Sequence, residues 1–179
     1  LAVDETSVSR TFQVQLADEG NELKLDDAAK IVGCWNGLAK RFARHDGDGL
    51  TGLDLSPMRR AVAFAPSIKS SKLVEAAYPA LVDRLRGQDE GEADRALGIE
   101  VRHVDGTMNA LERGNHLQWL KDGPAGGTNA NPVCRLLTNA RCLSEGVDVP
   151  ALDAVVFLSP RSSQVDVVQS VGRVMRKDP

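Results

Sequence analysis

Gln169, Arg173 and Arg176 stand at i, i+4 and i+7, so a helix through them points all three the same way. Two guanidinium groups aimed together repel unless an anion lies between them, and their planar forks suit phosphate. On spacing alone, the same stretch also reads as a solvated basic helix end favoured by the helix dipole. About twenty residues upstream lies Thr138-Asn139-Ala140-Arg141-Cys142-Leu143-Ser144-Glu145-Gly146-Val147-Asp148-Val149-Pro150. Gly146 lets backbone approach a ligand closely because it has no side chain in the way. Asp148 is a loop carboxylate that could accept hydrogen bonds from ribose hydroxyls. By itself this stretch is equally a well-made turn, with Asp148 capping local amides.

The elements that must position these residues follow from hydrophobic spacing. Ala28, Ile31, Val32, Trp35, Leu38, Ala39 and Phe42 share one face of a helix predicted over 25–44, which Asp26 or Asp27 could cap. This stripe reads as a core contact, with a partner-binding face as its alternative. His45-Asp46-Gly47-Asp48-Gly49 is a polar, glycine-rich break. It lacks the further acidic ligands and closing Glu of a calcium loop, so it reads as a linker. From Arg60 onward, strands alternate with helices. Strands are predicted at 61–65, 99–104, 133–138 and 153–158. Helices are predicted at 70–86, with Pro79 a kink or break, and at 109–121, where Asn109 and Glu112 form a capping box. A last helix runs from 162 or 163 to about 174, with Val165, Val168, Val171 and Val174 available for packing.

Such alternation predicts an α/β fold with a mainly parallel sheet covered on both sides, plus a helical N-terminal segment. The division expected is 1–59 for that segment and 60–179 for the lobe. In such sheets ligands sit beyond the carboxyl ends of the strands.

Composition narrows the class. The 179 residues suffice for one domain with a real core. A net charge of −3 excludes a generally basic nucleic-acid binder, leaving a local patch or a partner lobe to supply contacts. Cys34, Cys134 and Cys142 have neither C-x-x-C spacing nor a nearby His array, so no metal site is expected. Their sparse, odd number fits a reducing cytoplasm. No apolar run reaches the roughly 20 residues of a membrane helix. The chain begins at Leu1, not Met, and reads as a piece of a larger protein.

The two stretches, in this order, resemble motifs V and VI of superfamily 2 helicases. Upstream, Arg60-Ala61-Val62-Ala63-Phe64-Ala65-Pro66-Ser67-Ile68-Lys69-Ser70-Ser71 resembles motif IV. His103-Val104-Asp105-Gly106-Thr107-Met108, with Arg113 beyond, resembles the short motif that this family places between IV and V. The resemblance spans 60–176 and rests on four elements in order. It implies the second RecA-like lobe, a three-layer αβα unit, of a motor that binds ATP with Mg2+ between two lobes. By position, Gly146 and Asp148, with Glu145 beside them, resemble residues that meet the ATP ribose. Arg173 and Arg176 resemble arginine fingers on the transferring γ-phosphate. Gln169 resembles the polar residue that links the motif VI helix to the nucleotide. Thr138, Ser67, Asp105 and Gly106 sit where the family meets the nucleic-acid backbone.

No G-x-x-x-x-G-K-[ST] occurs in these residues. Asp4-Glu5-Thr6 resembles the acidic first-lobe motif only superficially, since no Ser-Ala-Thr-like motif follows it. The resemblance therefore implies half an ATPase site, bound mainly by a first lobe of the same polypeptide. The segment Leu25-Asp26-Asp27-Ala28-Ala29-Lys30-Ile31-Val32-Gly33-Cys34-Trp35-Asn36-Gly37-Leu38 resembles large helicases of restriction–modification systems, including the single-chain type ISP enzymes. That favours a DNA translocase. Three rivals stand beside it: an RNA helicase lobe, a catalytically silent helicase-like binding module, and an unrelated α/β phosphate-binding domain. The last should have a glycine-rich loop after its first strand, and Pro66-Ser67-Ile68-Lys69 is not one.

Overall fold

The structure is a computed structural model that describes residues 25–40, 56–88, 97–124, 132–140, 142 and 152–159. Its elements are α1 (Leu25–Leu38), β1 (Arg60–Phe64), α2 (Ile68–Gln88), β2 (Gly98–Val104), α3 (Ala110–Asp122), β3 (Val133–Asn139) and β4 (Ala154–Phe157). The four strands form one sheet in the order β2-β3-β1-β4, and every pairing is parallel. After β1 the chain travels past the β3 position to β2, then reverses. Right-handed crossovers in opposite directions place their helices on opposite faces, so α2 and α3 cover different sides of the sheet.

The central strand shows why both faces bury. Ala61, Ala63 and Ala65 of the β1 segment face one core, with α1 and α2. Val62 and Phe64 face the other, with Leu120 of α3. Small alanines let α2 approach the sheet closely. Its own Val74, Ala77, Tyr78, Leu81 and Val82 recur at helical spacing and fill that side. On the second side, Phe64 stacks on Phe157 with ring centroids 5.5 Å apart.

The stripe on α1 docks on the core: Ile31, Val32, Trp35, Leu38 and Ala39 are all buried in the α2 cluster. Trp35 adds a polar anchor, since its indole N–H donates to the Leu97 carbonyl at 2.8 Å. The returning chain closes the end of α1, where the Met58 N–H donates to the Leu38 carbonyl at 2.9 Å.

Several boundaries differ from those the sequence predicts. α1 ends at Leu38 rather than 44, because Lys40 turns into the left-handed region with φ 53°. Hydrophobic periodicity marks a face but carries no signal for that reversal. Asp26 and Asp27 lie inside the first turn of α1 rather than ahead of it. α2 starts two residues early, at Ile68, and Ser67 is its cap: the Ser67 hydroxyl oxygen accepts the Ser70 N–H at 3.1 Å. Pro79 neither breaks nor ends α2. Buried residues on either side, Tyr78, Leu81 and Val82, hold the helix to the sheet through the missing donor. The capping box forms as predicted, with reciprocal bonds between Asn109 and Glu112. The predicted helix at 162–174 and Phe42 lie outside the described residues.

Trp35→Ala removes the largest buried side chain that joins α1 to the sheet, together with its hydrogen bond. It should destabilise the chain by about 3–5 kcal/mol, read as a lower urea midpoint with an unchanged slope.

Candidate nucleic-acid interface

The carboxyl ends of β1, β2 and β3 lie side by side, so the loops that follow them form one edge of the molecule. Four buried polar side chains meet there. The Ser71 hydroxyl, in the first turns of α2, lies 2.6 Å from His103 Nδ1 and 2.9 Å from the Thr138 hydroxyl. His103 Nε2 lies 2.8 Å from Asp105 Oδ2. Ser71 and Thr138 are 0% exposed, Asp105 1% and His103 2%. The other Asp105 oxygen accepts from both the Thr107 N–H and the Thr107 hydroxyl. The His103 backbone N–H donates to Glu75 Oε1 at 2.8 Å, and Lys72 Nζ lies 4.0 Å from Asp105 Oδ2.

Hydrogen-bond accounting fixes the direction at the Asp105 end of this line. The hydroxyl of Thr107 and the ring of His103 hold the Asp105 carboxyl well below the usual carboxylate range, against an opposing effect of burial. An ionised carboxylate only accepts, so His103 Nε2–H donates to it. His103 Nδ1 shares a hydrogen bond with the Ser71 hydroxyl, which shares another with the Thr138 hydroxyl.

Ser, His and Asp in one line invite comparison with a nucleophilic triad, and two facts exclude it. The serine pairs with Nδ1 and the carboxylate with Nε2, the reverse of the serine-protease arrangement. Ser71 is also wholly buried, so no substrate reaches its oxygen.

Of the residues singled out for strand contact, Ser67, Asp105, Gly106 and Thr138 all fall at this edge. Ser67 and Gly106 are exposed, whereas Asp105 and Thr138 are buried with their polar atoms engaged inside. Around them, Lys69 and Thr107 are exposed, and Lys72 keeps 60% of its side chain in solvent. Sequence reasoning assigned no role to Ser71, Lys72, Glu75 or His103. Ser71 and His103 lie within the stretches that carried the resemblance, but nothing in their spacing shows that α2 brings them together. Gln169, Arg173, Arg176, Glu145, Gly146 and Asp148 lie outside the described residues.

The thiols behave as core groups. Burial pushes Cys34 up to about 11 and Cys134 higher still. Among the described residues, no group of three or more His, Cys, Asp and Glu could hold a metal ion, and no helix is long and apolar enough to cross a membrane.

The model of the helicase conserved C-terminal domain family matches residues 50–178. The chain belongs to that family. Its all-parallel sheet with helices on both faces is the RecA-like arrangement of a second helicase lobe. The solved structure of an ATP-dependent type ISP restriction–modification enzyme, LlaBIII, bound to DNA matches 98% of the chain at 38% identity, with a TM-score of 0.70. The chain spans only 10% of that polypeptide. A probable helicase of African swine fever virus is 48% identical over 42 residues, which are 24% of this chain and 5% of the viral protein. A Saccharomyces cerevisiae protein described as a candidate ATP-dependent helicase is 26% identical over 95 residues, 53% of this chain and 12% of its own length.

Because its carboxyl is depressed, Asp105 contributes stability that is complete above the ordinary value of 3.8 and is lost as pH falls below it. Asp105→Asn should lower stability at neutral pH and flatten the acid limb of a stability-versus-pH curve. An acid limb as steep as that of the unmutated lobe would contradict the assignment.

Proposed function

We propose that this lobe is the second motor lobe of an ATP-driven DNA translocase of the restriction–modification type, working in the cytoplasm. The observation that carries the reading is the 38% identity across 98% of the chain to a DNA-bound type ISP enzyme. The convergence of Ser67, Gly106, Lys72 and Thr107 on one exposed edge supports it from the geometry. Hydroxyl and ammonium donors there suit the phosphates of a strand, and they make local good an overall charge of −3. Thr138 and Asp105 lie buried beneath these exposed neighbours and brace the edge from inside.

In this reading, ATP with Mg2+ is held mainly by a first lobe of the same polypeptide. Gly146 and Asp148, with Glu145, meet the ribose. Arg173 and Arg176 close onto the γ-phosphate, where their charge stabilises what develops during transfer, and Gln169 orders their helix. Hydrolysis and phosphate release then let the lobes part, and the edge at Ser67 and Gly106 moves along the strand. The isolated chain, with half of the site, should not hydrolyse ATP.

In the full-length protein, Arg173→Ala and Arg176→Ala should each abolish DNA-stimulated ATP turnover while leaving DNA binding largely intact. Unchanged turnover would overturn the arginine-finger assignment, and an unmutated protein with no turnover would favour a silent, helicase-like binding module. Stimulation by RNA but not DNA would favour an RNA helicase lobe. Lys72→Ala should weaken strand binding regardless of base sequence. It should also lower the slope of log affinity against log salt by about 0.7–0.9, the share of one phosphate contact.

A further inference from the structure

The buried line Thr138–Ser71–His103–Asp105 joins four separate parts of the lobe: the end of β3, the first turns of α2, the end of β2 and the loop entering α3. Asp105 orders the exposed Gly106–Thr107 turn through two bonds from Thr107 and sits beneath Lys72, both parts of the strand-facing edge. Thr138 stands at the end of β3, in register with His103 of β2 at the same edge.

We propose that His103 is a positioning residue for the strand-facing edge, holding the Asp105 loop, Ser71 of α2 and, through Ser71, Thr138 of β3 in one hydrogen-bonded unit. The inference rests on the translocase reading. Physically, the imidazole joins the carboxylate end of the line to its hydroxyl end, donating to Asp105 through one ring nitrogen and pairing with Ser71 through the other. Removing it leaves Asp105 and Ser71 each short of a partner in a buried site, where unpaired polar groups are costly and rearrange. The movement falls first on the Gly106–Thr107 turn that Asp105 orders and, through Ser71, on Thr138 at the end of β3. His103 touches neither strand nor nucleotide in this arrangement, being 2% exposed.

The test uses the full-length protein and linear double-stranded DNA, following ATP turnover as DNA is added. His103→Ala should raise the half-stimulating DNA concentration roughly tenfold, with the KM for ATP at saturating DNA changed less than twofold. His103→Gln should recover most of the loss, because its amide offers one donor and one acceptor at nearly the spacing of the two ring nitrogens. Ser71→Ala, which removes a single oxygen and keeps the helix, should move the DNA response in the same direction as His103→Ala, and it serves if the latter does not fold. Three results would each overturn the inference while leaving the translocase reading standing. They are a half-stimulating concentration within twofold of the unmutated protein for both His103→Ala and Ser71→Ala, a Gln variant as impaired as the Ala variant, or a KM for ATP that rises in step. An unmutated protein with no DNA-stimulated turnover would instead sink the translocase reading itself.

Discussion

One carboxylate organises the working edge of this lobe. Asp105 is buried and ionised, which is tolerable only because Thr107 gives it two hydrogen bonds, His103 a third, and Lys72 a nearby positive charge. Its inability to donate requires His103 to present a proton to it, while the other ring nitrogen pairs with Ser71 and Ser71 with Thr138. The edge is therefore hydrogen-bonded inside and polar outside, which suits the strand-facing role proposed for it.

That arrangement depends on the sheet. Parallel strands place all their carboxyl ends on one edge, and the reversal between β2 and β3 puts α2 and α3 on opposite faces. Ser71 reaches the line because α2 is capped at Ser67, immediately after β1, and packs closely over alanines. His103 reaches it because its position on β2 pairs in register with Thr138 on β3. A different register, or a bulkier β1, would separate them. The apolar cores on the two faces thus act on function through geometry, and α1 joins one of those cores by burying Trp35 against it.

The family assignment and the edge geometry agree in what they ask of the lobe. In the translocase reading a second motor lobe needs a firmly held strand-facing surface. The edge proposed for that role is anchored at the end of β3, whose last residues pair with both neighbours. Neighbouring surface features look structural by comparison. Arg102 and Arg135 both lie over Trp119, and Arg135 also bonds Glu100 and the Trp119 carbonyl, which fastens α3 to the outer part of the sheet.

Much of the lobe was written in local pattern. The alternation of apolar strands with amphipathic helices specified the α/β class, the parallel sheet and the core face of α1, because burial on one face imposes a period that sequence displays directly. The Asn109–Glu112 box was legible because both partners lie within one turn. Ser67, Asp105, Gly106 and Thr138 could be placed at strand ends for the same reason. Local pattern did not contain the ending of α1 at a left-handed Lys40, the unbroken passage of α2 through Pro79, or the joining of Ser71, His103 and Thr138. The last of these depends on contacts between residues 32 and 67 positions apart. Only the strand order, which brings β2 and β3 together and lays α2 across them, decides which polar side chains are buried in company and which face solvent.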